Sequence, residues 1–77
     1  MRDSERERVA ANVRAELARS GKTQRDAAAV VGMHQPNLGL RLQGKRSFRA
    51  EEIARLAEWL GVSADNLLTG VPTKEAA

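Results

Sequence analysis

Amide and basic side chains are concentrated in the middle of the chain, where they could bind a polar or anionic partner. Glutamine stands at positions 24, 35 and 43 and asparagine at position 37, and each amide group both donates and accepts hydrogen bonds. Between Ala27 and Ala50 there is no Asp or Glu, whereas four Lys or Arg residues give this segment a charge of +4. A segment of one sign is typical of a footprint for a polyanion, although four charges alone are equally typical of a solvated loop.

The residue types that perform most catalysis and metal binding are scarce. Cysteine is absent, and His34 is the one histidine of the sequence. This composition excludes disulfides, thiolate zinc sites and cysteine nucleophiles, and it leaves no histidine pair for a metal or a proton relay. We therefore expect no enzymatic activity, no cofactor, no metal and no small-molecule ligand.

Two features of the sequence bear on the cellular location of the protein. No apolar run approaches the roughly 20 residues that a membrane-spanning helix requires. The N-terminal segment carries charges at positions 2, 3, 5 and 6 and does not resemble a signal peptide. We expect a cytoplasmic protein that makes no contact with a membrane.

Local signals predict an all-α fold of five helices, at about 5–20, 24–31, 35–43, 50–60 and 64–68. Ser4 and Glu7 form a capping box before the first helix, and Thr23 is the predicted N-cap of the second. Pro36 fits the first turn of the third helix, where a missing N–H costs nothing. The 77 residues are expected to form one domain, with an ordered core at about 4–70 and a tail at 71–77 that is frayed or ordered by a partner.

Apolar residues recur at helical spacing, so one face of each longer helix is predicted to be buried. On the first helix this face carries Val9, Val13 and Leu17. On the fourth helix it carries Ile53, Leu56, Ala57 and Leu60, while Glu51, Glu52, Arg55 and Glu58 lie off it.

The last two predicted helices carry three further large apolar residues. Leu67 and Leu68 are expected to face inward. Trp59 is expected to cover the core, with the alternative that it joins a dimer interface with Leu68 and Val71.

The second and third helices are separated by a spacing that favours a close crossing. Ala28 is a small residue within the second helix, Gly32 permits a sharp turn, and Leu38 is placed to be buried on the third helix. Two helices joined by a short turn that contains glycine are typical of a helix-turn-helix, which presents the start of its second helix to the DNA major groove. The acid-free, basic segment follows directly, which strengthens this interpretation.

The combination of these motifs resembles a known family, the Cro/repressor-type helix-turn-helix proteins, also described as Xre-like or lambda-repressor-like. The resemblance extends over roughly Val9 to Leu68. It is carried by the segment Gln24–Ala28, the turn Gly32–Gln35, the pair Leu38–Gly39, the segment Gln43–Arg46 and the hinge Leu60–Ser63.

The resemblance implies sequence-specific binding to duplex DNA, and it implies roles for individual residues. Gln35 would read a base, with adenine as the geometric match for its amide, and Asn37 would face bases or the adjacent backbone. Gln24 would contact a phosphate and brace Gln35. Gln43 would contact a second phosphate, with Lys45 and Arg46 adding charge beside it.

The sequence departs from the family pattern at the end of the third helix. Leu42 replaces a common acidic residue, Arg41 stands where an apolar residue is usual, and Leu40 stands where a polar residue is usual. Either the helix is rotated slightly, or Leu40 meets a thymine methyl group while Arg41 reaches a phosphate. Pro36 has no N–H to donate to a phosphate.

Two functions from different classes remain open at this point. The first is a transcriptional regulator in the manner of a phage or prophage Cro or repressor protein. The partners that the resemblance implies for it are operator DNA and a second copy of the chain. The second is an antitoxin-like or adaptor module that uses the same fold to bind a protein.

Overall fold

A computed structural model of the protein describes residues 4–70, and these residues form five helices. The helices are α1 (Glu5–Ser20), α2 (Gln24–Val31), α3 (Gln35–Leu42), α4 (Ala50–Leu60) and α5 (Ala64–Thr69). Residues 4–70 contain no β-strand. The predicted all-α fold is confirmed, and the helix ends differ from the predicted ones by one residue at the end of α3 and of α5. The predicted tail at 71–77 lies outside the described residues.

The helices begin where the sequence places capping residues. The Ser4 Oγ accepts from the backbone N–H of Glu7 at 3.1 Å, and a Glu7 carboxylate oxygen accepts from the backbone N–H of Ser4 at 3.1 Å. Thr23 caps α2 by accepting from the backbone N–H of Asp26. Because these bonds use the first amides of each helix, which have no intrahelical acceptor, they fix the helix starts.

One apolar core lies among the five helices. Its fully buried large side chains are Val13, Leu38, Leu42, Leu56 and Leu67. The core is completed by alanines of α2, which allow α2 to pack closely against α3 and α4. Each of the five helices contributes to this cluster, so the position of α3 depends on all of them.

Trp59 is half-buried and packs against the core cluster. The Lys22 ammonium lies 4.7 Å from the centre of the indole ring and donates to the Trp59 carbonyl oxygen at 3.1 Å. A cation over an indole face is a favourable arrangement. These contacts support the interpretation that Trp59 covers the core, and they also tie the α1–α2 turn to the end of α4.

Two expectations for side-chain burial are wrong. Leu68 does not face inward but is 47% exposed, since Leu67 occupies the buried position on the short α5. Glu52 does not lie in solvent but is buried. Its burial is possible because its carboxylate accepts hydrogen bonds from protein donors, as described below.

Within residues 4–70, no helix is long and apolar enough to cross a membrane. The same residues hold no group of three or more His, Cys, Asp or Glu side chains that could bind a metal ion.

Candidate nucleic-acid interface

The turn between α2 and α3 has the geometry that the glycine spacing predicts. Gly32 adopts φ +72°, a left-handed conformation that side chains other than glycine disfavour. The backbone N–H of Met33 donates to the Ala28 carbonyl at 3.0 Å, which closes the end of α2. Ala28 of α2 and Leu38 of α3 are buried and belong to the same core cluster. The turn therefore holds α3 across α2 and leaves the start of α3 at the surface.

The first turn of α3 is open to solvent and carries no acidic residue. His34 is the N-cap residue, but its side chain accepts no capping hydrogen bond, and Pro36 follows within the first turn. By contrast, α1, α2, α4 and α5 each have an acidic residue in the first turn. The positive end of the α3 dipole is therefore not compensated by a carboxylate of its own helix, which favours an anion at this place.

Gln24 and Gln35 lie beside each other although they belong to different helices. Gln24 is the first residue of α2 and Gln35 is the first residue of α3. Both side chains are exposed, and together with Pro36 they line one shallow surface depression. The structure thus brings together the two glutamines that the family resemblance pairs.

The remaining predicted base-reading residues lie on the outer face of α3. Leu38 and Leu42 mark its buried face. With about 100° of rotation per residue, Asn37 and Leu40 lie on the opposite side of the helix. Asn37 is exposed, and Leu40 is half-buried but does not belong to the core cluster. Both side chains therefore have surface available for a partner.

The connector after α3 presents its basic side chains outward. Gln43, Lys45 and Arg46 are exposed. Gly44 is buried and has φ +77°, and a Cβ atom placed on it would lie 2.9 Å from the Glu7 Cγ of α1. The backbone approaches α1 so closely that only glycine fits here, and this contact fixes the connector.

The structure gives Arg41, a predicted phosphate ligand, partners within the protein. Its Nε donates to Glu52 Oε1 at 3.2 Å, and one of its terminal nitrogens donates to the Asn37 carbonyl oxygen at 3.2 Å. The Arg41 side chain is 19% exposed. The phosphate contact of Arg41 stays a prediction, and a phosphate would have to compete with Glu52 for the guanidinium group.

Sequence reasoning did not identify two residues that hold α3 in place. Arg14 on α1 donates to the carbonyl oxygen of Leu42, the last residue of α3. Glu52 accepts from the backbone N–H of Arg49 at 2.8 Å as well as from Arg41. The position of Glu52 in the first turn of α4 could have indicated its bond to Arg49, but its pairing with Arg41 depends on the tertiary structure.

Comparisons with known proteins agree with this arrangement. A family model described as "Helix-turn-helix domain" matches residues 6–69. Among solved structures, the clp gene regulator ClgR from Corynebacterium glutamicum is 25% identical, with 87% of each chain covered and a TM-score of 0.80. No curated protein matches significantly.

Two more distant structures show the same fold. The restriction-modification controller protein C.AhdI from Aeromonas hydrophila is 21% identical over 82% of this chain and 96% of its own, with a TM-score of 0.74. The hypothetical transcription factor NHTF from Neisseria is 24% identical over 92% of this chain and 79% of its own, with a TM-score of 0.76. The chain therefore belongs to the helix-turn-helix domain family of DNA-binding regulators, and its motifs are those of the Cro/repressor (Xre-like) type.

Proposed function

We propose that the protein is a transcriptional regulator that binds duplex DNA sequence-specifically by placing α3 in the major groove. The observation that carries this proposal is the start of α3, which is exposed and free of acidic residues. It presents Gln35 beside Gln24 of α2. A helix about 10–12 Å wide fits the major groove, where each base pair has a distinct pattern of donors and acceptors.

The base contacts are assigned to Gln35, Asn37 and Leu40. The amides of Gln35 and Asn37 can each donate to and accept from one adenine, at N7 and N6. Leu40 offers an apolar surface that matches a thymine methyl group. The outer face of α3 therefore favours a recognition sequence that contains A·T pairs.

The phosphate contacts are assigned to Gln24, Gln43, Lys45 and Arg46. These side chains are all exposed and flank α3 at its start and at its end. Contacts at both ends of the helix would fix its register on the duplex without selecting a sequence. Because Lys45 and Arg46 are cations, each phosphate that they neutralise steepens the salt dependence of log K by roughly 0.9.

The finer parts of the proposal that rest on the family resemblance are a homodimer at least on DNA, a near-palindromic operator, and repression in the manner of a phage or prophage Cro-like protein. A single DNA-binding domain in residues 1–77 is also proposed, and it rests on the length of the chain. A dimer would place its two α3 helices roughly 34–36 Å apart, one turn of the DNA helix.

Selection of bound sequences from a random duplex pool tests this function. We expect a palindromic motif with A·T pairs in each half-site and a gel shift on that motif whose affinity falls steeply with salt. An affinity that does not depend on salt, or a pool that shows no enrichment, would contradict the proposal. No enrichment together with a protein that co-purifies stoichiometrically would favour the adaptor function.

A further inference from the structure

One carboxylate connects the recognition helix to the rest of the molecule. Glu52 Oε1 accepts from Arg41 Nε at 3.2 Å and from the Arg49 backbone N–H at 2.8 Å. Arg41 in turn donates to the carbonyl oxygen of Asn37, one turn earlier on α3. The chain of contacts therefore extends from the start of α4, through Arg41, to the backbone of a residue on the proposed DNA-facing surface.

The Arg41–Glu52 ion pair is largely withdrawn from water. The exposed fractions of the two side chains are 19% and 10%. In the other ion pair found among residues 4–70, Arg19–Glu16, the arginine side chain is 65% exposed. Salt screens a covered pair much less than an exposed one, so the Arg41–Glu52 pair is expected to persist at the salt concentrations of a binding measurement.

This pair also changes the charge that the α3 region offers to DNA. The segment between Ala27 and Ala50 has four cations and no acidic residue in the sequence. In the folded structure, however, Glu52 forms an ion pair with Arg41, one of those four cations, and neutralises its charge. Arg41 is one helical turn from Asn37, so without Glu52 its charge would be available close to the DNA backbone.

From these contacts we infer that Glu52 is a specificity-determining positioning residue, which withholds Arg41 from DNA phosphates and holds it against the Asn37 carbonyl. This inference replaces the phosphate contact that the sequence predicts for Arg41. The inference rests on the proposed function, since it assumes that α3 faces DNA. Glu52 itself contacts no base or phosphate. The phosphate contact that Glu52 removes is independent of sequence, so its loss lowers specific and non-specific affinity alike. By bracing the helix that reads bases, Glu52 would raise the ratio of specific to non-specific affinity.

The test compares Glu52→Gln with the wild-type protein on the selected operator and on a random duplex, over a series of salt concentrations. Glutamine keeps an oxygen that can accept from the Arg49 N–H but removes the charge that neutralises Arg41. We expect the slope of log K against log salt to steepen by roughly 0.9 on both duplexes. We also expect the ratio of specific to non-specific affinity to fall by about three- to tenfold, because Arg41 leaves the Asn37 carbonyl.

Glu58→Gln is the matched control, because Glu58 is an exposed carboxylate on the same helix and the change in net charge is identical. The control is expected to keep the wild-type slope and ratio. Equal slopes and ratios for Glu52→Gln and Glu58→Gln would overturn the inference.

A second variant, Arg41→Gln, keeps the inference testable if Glu52→Gln folds poorly, as judged by far-UV circular dichroism. Arg41→Gln is expected to keep the wild-type salt slope, because Arg41 makes no phosphate contact in the wild type. A slope that is shallower by roughly 0.9 in Arg41→Gln would show that Arg41 already binds a phosphate, and would overturn the inference. In that case the proposed function would still stand, whereas a wild-type protein that binds no duplex at all would overturn both.

Discussion

The surface between α1 and α5 and the outer face of α3 use the same types of polar side chain in opposite ways. Between α1 and α5, the Asn12 amide donates to the Leu67 carbonyl at 2.9 Å, and the Asn66 amide donates to the Glu16 carboxylate at 3.2 Å. On α3, the side chains of Gln35 and Asn37 are exposed. Amide groups that bond within the protein stabilise the fold, whereas exposed amide groups remain available for a partner.

This difference separates the residues that position α3 from the residues that would contact DNA. Substitutions between α1 and α5 should lower the free energy of unfolding and leave the intrinsic DNA affinity of the folded protein unchanged. Substitutions on the outer face of α3 should weaken DNA binding and leave the free energy of unfolding nearly unchanged. The predictions below test this separation, beginning with the largest expected change.

Leu38→Ala should have the largest effect, because Leu38 is fully buried on the inner face of α3. Removing its side chain is expected to lower the free energy of unfolding by about 2–5 kcal/mol, since apolar burial is lost and a cavity is left. Urea or thermal unfolding would measure this change. Leu68→Ala is the matched control, because Leu68 is 47% exposed, and it should change stability by about 0.5 kcal/mol or less. Equal losses for both leucines would contradict the described core.

Asn12→Ala and Asn37→Ala compare the same substitution in the two regions. Asn12→Ala should lower the free energy of unfolding by about 1–3 kcal/mol, because the Leu67 carbonyl loses its side-chain donor in a partly buried place. Asn37→Ala should change stability by about 0.5 kcal/mol or less, because the Asn37 side chain is exposed.

The DNA affinities of the two asparagine variants should show the opposite order. Asn37→Ala is expected to weaken binding to the selected site by about 1–3 kcal/mol, and Asn12→Ala should leave it unchanged below the unfolding transition. Fluorescence anisotropy with a labelled duplex would measure both. If Asn12→Ala weakened binding as much as Asn37→Ala in fully folded protein, the separation of the two regions would be wrong.

The smallest expected effect is that of Lys45→Ala. This variant should weaken binding evenly across sequences and reduce the salt slope by roughly 0.9, because one phosphate contact is lost. Arg55→Ala serves as the control, because Arg55 is an exposed cation on α4 outside the proposed interface. Identical salt slopes for Lys45→Ala and Arg55→Ala would remove Lys45 from the interface.

Local signals in the sequence were sufficient to predict the helices. Capping residues such as Ser4 and Thr23 accept hydrogen bonds from backbone amides three residues later in the chain, so their effect can be predicted without the tertiary structure. The same is true of Gly32, whose left-handed conformation depends on the local turn. The surface roles of Gln24 and Gln35 were implied by the family resemblance, and both side chains are exposed.

Contacts between distant elements could not be predicted in this way. Glu52 has the spacing of a solvent-facing residue on α4, and its burial depends on Arg41, eleven residues earlier in the chain. Likewise, both Leu67 and Leu68 were expected to face inward, and only the packing of α5 shows that Leu67 alone occupies the buried position. Gly44 directly follows the predicted third helix, but its close approach to Glu7 on α1 adds a steric requirement that depends on the fold.

The most direct test of the central claim, that α3 reads bases, compares Gln35→Ala with Gln43→Ala on the selected operator and on a set of single-base-pair variants of it. The account predicts that Gln35→Ala costs about 1–3 kcal/mol on the operator and loses its preference at one base pair of each half-site. Gln43→Ala should instead weaken binding to all the duplexes equally, because its proposed partner is a phosphate. A Gln35→Ala protein that retained the full wild-type preference at every base pair would contradict the claim.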